Sequence, residues 1–316
     1  MKYADAHADT FYHVALSGAD VFGESLHVTV PRMRAVGQVL QVCSVFTPAQ
    51  YSGEAAEDFA RGLIRAIQDT CEGHRENFAL VGSARELKRL NGRVGLIPWL
   101  EGASPLRGEP ALLDEFRRLG VRGVGLVHNH ANEVADGCGV QSPRRGLSDF
   151  GRRLVAGLER RGMAVDCAHL PRPAFDEVME MATRPPCISH TGCGRLVPLT
   201  RNADDRMLRR IADRDGFVGI DFYPGHVLVG AFSPCRRRAG CAEVAEHILH
   251  AINVSGVGAV GLGGDFDGFN DTCEGLSHVG ELPNLERELR GRGLTDAAIE
   301  RVFSGNLLSY LGRVLP

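Results

Sequence analysis

A chain in which short runs of Val, Ile and Leu alternate eight times with amphipathic stretches can bury those runs in few ways. The runs are Tyr3 to Ala6, Val39 to Phe46, Val94 to Leu100, Gly123 to Val127, Met163 to Cys167, Pro186 to Ser189, Phe217 to Phe222 and Ala259 to Gly263. Between them lie stretches with apolar residues three and four apart, the period of a helix with one buried face: Glu54 to Asp69, Pro110 to Leu119, Ser148 to Arg161, Pro173 to Ala182, Ala203 to Asp213 and Ala242 to Ser255. Eight parallel strands interleaved with helices predict an α/β fold, the closed (β/α)8 or TIM barrel. The 316 residues suit one such barrel of about 250 residues plus insertions. The expectation is a single barrel domain over residues 1–316, with extra C-terminal helices in the tail from Pro283 to Leu311. Two smaller domains would also fit the length.

Composition narrows the function classes. A hydrophobic fraction of 44% against 24% charged residues is that of a globular protein with a large core. A net charge of -3 gives no extended basic footprint for nucleic acid, and Arg236, Arg237 and Arg238 read as a solvated loop. The start lacks a basic segment followed by a long apolar run, and no window reaches about 18 uncharged apolar residues. The sequence therefore reads as cytoplasmic, with no membrane span. Nine cysteines without a C-x-x-C pair, among them Cys43, Cys167 and Cys187 inside apolar runs, read as reduced core residues.

Catalytic groups of such barrels sit at the carboxyl ends of strands. His7 and Asp9 stand two apart at the end of what reads as the first strand, so that both side chains leave one face. Glu101 follows the third run, His128 the fourth, His169 the fifth, His190 the sixth and Asp265 the eighth. Any one of these has a structural explanation, since a single buried His is usually hydrogen-bonded core. Together at one end of a barrel they form a set of imidazoles and carboxylates suited to zinc or a similar divalent ion, and to two ions about 3.5 to 4 Å apart. Two ions need a bridging carboxylate. Only Lys2 and Lys88 could be carboxylated for that purpose, and neither stands at a strand end, which leaves Glu101.

Longer motifs point the same way: His7-Ala-Asp9, Leu100-Glu101-Gly102, Val127-His128-Asn129 leading to Ala135-Asp136-Gly137, and Gly146-Leu147-Ser148 leading to Phe150-Gly151. Further on come Asp166-Cys-Ala-His169, Ile188-Ser-His190, Arg201-Asn202, Phe222-Tyr223-Pro224-Gly225, Gly263-Gly-Asp265-Phe-Asp267-Gly268 and Gly305-Asn306-Leu307-Leu308. Nearly end to end, the chain resembles the membrane (renal) dipeptidase family, metallopeptidases on the amidohydrolase type of barrel. The resemblance implies two zinc ions, one held by His7, Asp9 and Glu101 and the other by Glu101, His169 and His190. A hydroxide between the ions would attack the peptide carbonyl. Asp265 would take the proton of the attacking water and hand it to the leaving amine, His128 would stabilise the oxyanion, and Arg201 would grip the terminal carboxylate of a dipeptide. The family also suggests a homodimer.

Some positions depart from the family pattern. Asp221 stands where Asn is expected and would add negative charge near the mouth. Thr10, Phe11 and Tyr12 replace the usual Leu-Pro and are expected to line the pocket. His130 is an extra His not assigned as a ligand. His247 and His250, three apart on a helical pattern, read as a solvated face, and the Gly261-Leu-Gly263-Gly264 string as close backbone packing.

The function expected is hydrolysis of dipeptides, with a D- or dehydro-residue tolerated at the second position. A different amide or lactam hydrolase on the same site, or a barrel that has lost catalysis and serves as a binding protein, are the alternatives.

Overall fold

The computed structural model describes residues 2–233 and 238–316. Nine strands form one sheet: β1 (Tyr3–Ala8), β2 (Gln38–Phe46), β3 (Phe78–Leu80), β4 (Val94–Glu101), β5 (Gly123–Gly125), β6 (Ala164–Asp166), β7 (Cys187–Thr191), β8 (Phe217–Ile220) and β9 (Val260–Leu262). Eight of them run in chain order around the molecule, all pairings parallel, and β3 lies off that path against β4. The seam is drawn together beyond β9, where the Asp265 amide donates to the His7 carbonyl at 3.0 Å and the Asp9 amide to the Phe266 carbonyl at 2.9 Å. The expected (β/α)8 barrel is thus nearly closed.

β3 is an addition to the sequence reading. Residues 94–96 of β4 pair with β3, while residues 99–101 of the same strand pair with β5. One edge of β4 is therefore shared by two short strands.

The helices form where the apolar period placed them. In the helix Gly53–Gly73, buried Ala56, Ala60, Leu63, Ile64, Ile67 and Cys71 trace one face toward the barrel. Ser148 starts the helix Asp149–Arg160 by accepting from the Gly151 amide, and Asp204 starts Asp205–Ala212 by accepting from the Met207 amide. Short helices over Thr10–Ser17 and Val30–Ala35 were not anticipated. The tail is helical as expected, and its last helix, Asn306–Val314, plugs the barrel's amino-terminal end. There Leu307, Tyr310, Leu311 and Val314 pack with Ala4, Leu40, Val42, Ile97 and Trp99 from the strand interiors. The opposite, carboxyl end is left for chemistry.

Four expectations about individual residues are corrected. Extended backbone ends at Ala8, so Asp9 is not on the strand but at the start of the next helix, with φ -97° and ψ 16°. Phe11 is buried in the core, and Thr10 donates to Asp267 Oδ2 at 2.6 Å; of that trio only Tyr12 lines the cavity. Asp221 is wholly buried beneath the mouth and not on it. His247 is 1% exposed rather than solvated, accepting at Nδ1 from the Cys193 amide, while His250 pairs with Asp205 at 2.7 Å.

The Gly-rich string behaves as expected. A Cβ on Gly263 would fall 2.0 Å from the Ser189 carbonyl oxygen, next to His190. Arg238 is exposed, Arg236 and Arg237 lie outside the described residues, and the eight described cysteines are unpaired thiols. No described helix is long and apolar enough to cross a membrane.

Candidate metal centre

All seven residues read from strand ends meet at the carboxyl end of the barrel. His7 and His190 project from β1 and β7 with stacked rings, centroids 3.7 Å apart. Glu101 ends β4, and His128, His169 and Asp265 stand on the loops beyond β5, β6 and β9. His169 and Asp265 have positive φ, 61° and 57°, a left-handed backbone that costs a non-glycine residue about 1 kcal/mol or more. Neighbouring Asp267, at φ 66°, is fixed by the Thr10 hydroxyl and the His27 and Val28 amides. The surrounding structure holds these loops in place against that cost.

Glu101 occupies the middle. Its Oε2 lies 3.6 Å from His7 Nε2 and accepts from the Ser44 hydroxyl at 3.0 Å. Its Oε1 lies 3.1 Å from His169 Nε2, 3.5 Å from His190 Nε2 and 3.8 Å from His128 Nε2. On the far side, His7 Nε2 is 3.5 Å from Asp9 Oδ2 and 3.7 Å from Asp265 Oδ1. Three overlapping groups each bring their ligand atoms within 4.8 Å of one another: His7, Asp9 and Asp265; His7, Glu101 and His190; and Glu101, His128 and His169. The pairing of His128 with Glu101, and of Asp265 with Asp9, goes beyond the ligand sets that the resemblance implied.

The hydrogen bonds behind these side chains decide which atoms face inward. His169 Nδ1 sits 3.0 Å from Asn129 Oδ1, an oxygen that can only accept, so the ring proton is on Nδ1 and Nε2 presents a lone pair. Ser189 Oγ holds His190 Nδ1 at 2.9 Å. Ser44 is not marked by the sequence, and Asn129 and Ser189 stand in the motifs around His128 and His190 without an assigned role. The inward atoms then face each other: His169 Nε2 is 3.0 Å from His190 Nε2 and 3.1 Å from the Glu101 carboxylate. Lone pairs and a carboxylate at such separations fit a cation between them. His7 Nε2 and Asp9 Oδ1 are likewise buried without hydrogen-bond partners. The nitrogen and oxygen donor set suits a borderline divalent ion.

Charge in the site is uneven. Burial holds His169 and His190 well below the usual histidine range, so both are neutral, as ligands must be. Burial also works against a charged His7, but Glu101, Asp9 and Asp265 outweigh it and push His7 up to about 10, so a cation ligated there would have to displace its proton. Burial would raise Glu101, yet His7 and the other imidazoles hold it well below the ordinary carboxylate range. Asp265 goes the other way: burial, reinforced by Asp9, Asp221 and Glu101, raises it well above that range, with His7 opposing.

All of these ligand-type residues except His7 line a cavity of about 520 Å3, which Tyr12, His13, Phe46, Arg201, Tyr223, His226 and Phe269 also line. Arg201 donates through Nη1 to the His190 carbonyl at 3.0 Å, and its Nε and Nη2 are buried without partners. His130 lies outside this cavity, by a smaller one of about 170 Å3 that shares Glu101 and His128. His13 and His226 are cavity residues that the sequence did not reveal, because neither follows a strand directly with a ligand partner at a telling interval.

Fold and site together define a parallel α/β barrel with metal-ligand groups gathered at its carboxyl end, the arrangement of a metal-dependent hydrolase. Residues 1–315 match the model of the membrane dipeptidase family, peptidase family M19, and the chain belongs to that family. Among its relatives is a protein named dipeptidase aclJ from Aspergillus oryzae, 35% identical over 226 residues, which are 71% of this chain and 52% of that protein. Another is named dipeptidase tcpJ, from Claviceps purpurea, 29% identical over 85% of this chain and 62% of its own length. The match thus spans little more than half the length of these curated relatives. A solved family M19 metallopeptidase, dipeptidase AC, superposes with a TM-score of 0.92 at 26% identity, covering 100% of this chain and 99% of its own. A Rhodobacter sphaeroides metallopeptidase shares the fold with a TM-score of 0.92 at 24% identity, over 99% of both chains.

Proposed function

We propose that the protein is a binuclear zinc dipeptidase. The observation that carries this reading is the position of Glu101, whose two oxygens point to different imidazole groups, Oε2 to His7 and Oε1 to His169 and His190. His7 and Asp9 with Glu101 would hold one ion, and His169 and His190 with the same carboxylate the other. When bound, the ions supply Lewis acidity that polarises the scissile carbonyl and makes water acidic enough to attack at neutral pH.

The protein's own groups do the rest. Asp265, with its carboxyl raised by burial and neighbouring negative charge, is suited to take a proton from the attacking water and return it to the leaving amine. The neutral His128 ring, held below its ordinary range by burial, lines the cavity 3.8 Å from Glu101 and donates to the developing oxyanion. Arg201 presents unpartnered Nε and Nη2, adjacent donors in one plane that match the two oxygens of a terminal carboxylate. That grip at one end and the buried centre at the other restrict the substrate to two residues. Family membership supports the dipeptide as substrate class.

Elemental analysis of purified protein, joined to a panel of dipeptides, acyl amino acids and lactams, tests the reading. Two zinc equivalents and turnover confined to dipeptides are expected. Asp265→Asn should keep both metals and lose about 100-fold or more in kcat, the usual contribution of a placed general base. Full activity in that variant would remove Asp265 from the proton transfer, and preferential turnover of lactams would replace the substrate class.

A further inference from the structure

The cavity wall that carries Arg201 also carries an imidazole backed by a buried carboxylate. Asn202, next in sequence, donates through Nδ2 to the His226 carbonyl at 2.9 Å, which fixes the two segments side by side. His226 Nδ1 lies 2.8 Å from Asp221 Oδ2, and the ring lines the cavity. Asp221 is wholly buried, and His226 is the side chain that meets its carboxylate. Burial pushes Asp221 up, but the charges of His226 and Arg201 outweigh it and hold it below the ordinary carboxylate range, so it stays ionised.

A buried carboxylate of this kind is stable only with a compensating charge beside it. Protonated, His226 would supply it alongside Arg201, with Nδ1–H spent on Asp221 at 2.8 Å. Nε2, which carries N–H in that form, has no hydrogen-bond partner among the described residues. Tyr223 packs edge-on to the same ring at a centroid distance of 4.7 Å, which limits its rotation. The result is a fixed imidazole on the cavity wall, a donor at Nε2 when protonated.

This donor is surplus to a simple dipeptide. One α-carboxylate has two oxygens, and the free Nε and Nη2 of Arg201 already match them. We infer that His226, positioned by Asp221, selects dipeptides whose C-terminal residue carries a second carboxylate, an aspartyl or glutamyl side chain. This inference rests on the dipeptidase reading for the place of the substrate's C-terminus. It also gives the Asp at position 221 a role: through His226 it attracts negative charge instead of repelling it.

The test is a set of dipeptides with one N-terminal residue and, at the second position, Asp, Glu, Asn, Gln, Ala or Lys in L and D forms. The zinc-loaded enzyme should show kcat/KM at least tenfold higher for Glu than for Gln, or for Asp than for Asn, with the difference in KM. In His226→Gln and in Asp221→Asn that ratio should fall toward one. Equal or better turnover of the amide or Lys peptides by the wild type would overturn the inference. So would a His226→Gln variant that slows every peptide by the same factor, the mark of a merely structural role. Titration calorimetry with the same peptides separates this question from the peptidase reading. Tighter binding of Glu over Gln that is lost in His226→Gln, without turnover of any peptide, would support the acidic-residue site and reject the dipeptidase. Turnover with equal Kd and equal kcat/KM would do the reverse.

Discussion

Metal-ligand chemistry is written in few residue types, and at the carboxyl end of a barrel strand those types have little other reason to accumulate. That is why His7, Glu101, His128, His169, His190 and Asp265 were legible from sequence and meet in one place. Burial was not legible residue by residue. His247 and His250 are three apart on one helix, yet the loop at Cys193 closes over the first and leaves the second to Asp205. The consequence is measurable. Burial lowers His247 from the usual value to about 4. The unfolded chain takes up this proton near pH 6.5, while the folded protein resists until about pH 4. The neutral form is the folded one, so its contribution to stability is complete above pH 6.5 and is lost as pH falls toward 4. The window corresponds to about 3 kcal/mol. In urea titrations across this range, His247→Asn, whose Oδ1 can still accept from the Cys193 amide, should flatten the fall relative to wild type by roughly that amount. An identical slope in both proteins would remove His247 from the acid response.

At the level of elements, long apolar runs were read well and short ones poorly. β2 and β4 are nine and eight residues long and appear almost as predicted, because both are buried over most of their length. β3 has three residues, of which only Phe78 is buried, and its place on β4 is set by the shortness of β5, a fact about a different segment. The C-terminal helix shows the same division. Its helicity was visible in the sequence, but its position as a plug was not. The Gly305-Asn306-Leu307-Leu308 motif now has a physical reason: the buried Asn306 amide donates through Nδ2 to the carbonyls of Val257 at 2.6 Å and Val260 at 2.7 Å, pinning the plug to the approach to β9. Asn306→Ala would leave both carbonyls short of a donor inside the protein. The expected cost is about 2 to 3 kcal/mol, seen as a lower Tm. Metal content should be unchanged, since the helix sits at the opposite end from the candidate ligands. A variant that loses metal in proportion to stability would contradict this separation.

For the whole molecule, the barrel divides its labour between two ends. The amino end is closed by apolar packing of Leu307, Tyr310, Leu311 and Val314. The carboxyl end gathers Asp9, Glu101 and Asp265 around His7, an arrangement whose repulsion a bound cation relieves. Ions that bind only the folded chain add RT ln(1 + [L]/Kd) to its stability, about 4 kcal/mol at a thousandfold excess over Kd. Chelation should therefore lower Tm by several degrees and steepen proteolysis. Because metal site and plug share no side chain, the two destabilisations should add, and chelated Asn306→Ala should show the sum of the separate shifts to within about 0.5 kcal/mol. The barrel wall between them is one continuous parallel sheet, however, and β1 and β9 take part in both ends: β1 carries His7 above and Ala4 below, while β9 leads to Asp265 above and is pinned by Asn306 below. A combined loss clearly larger than the sum would show that the seam between these strands transmits strain from plug to metal site. Additivity would show that the seam isolates them, leaving the carboxyl end free to vary its specificity at Asp221 and His226 without loss of the fold.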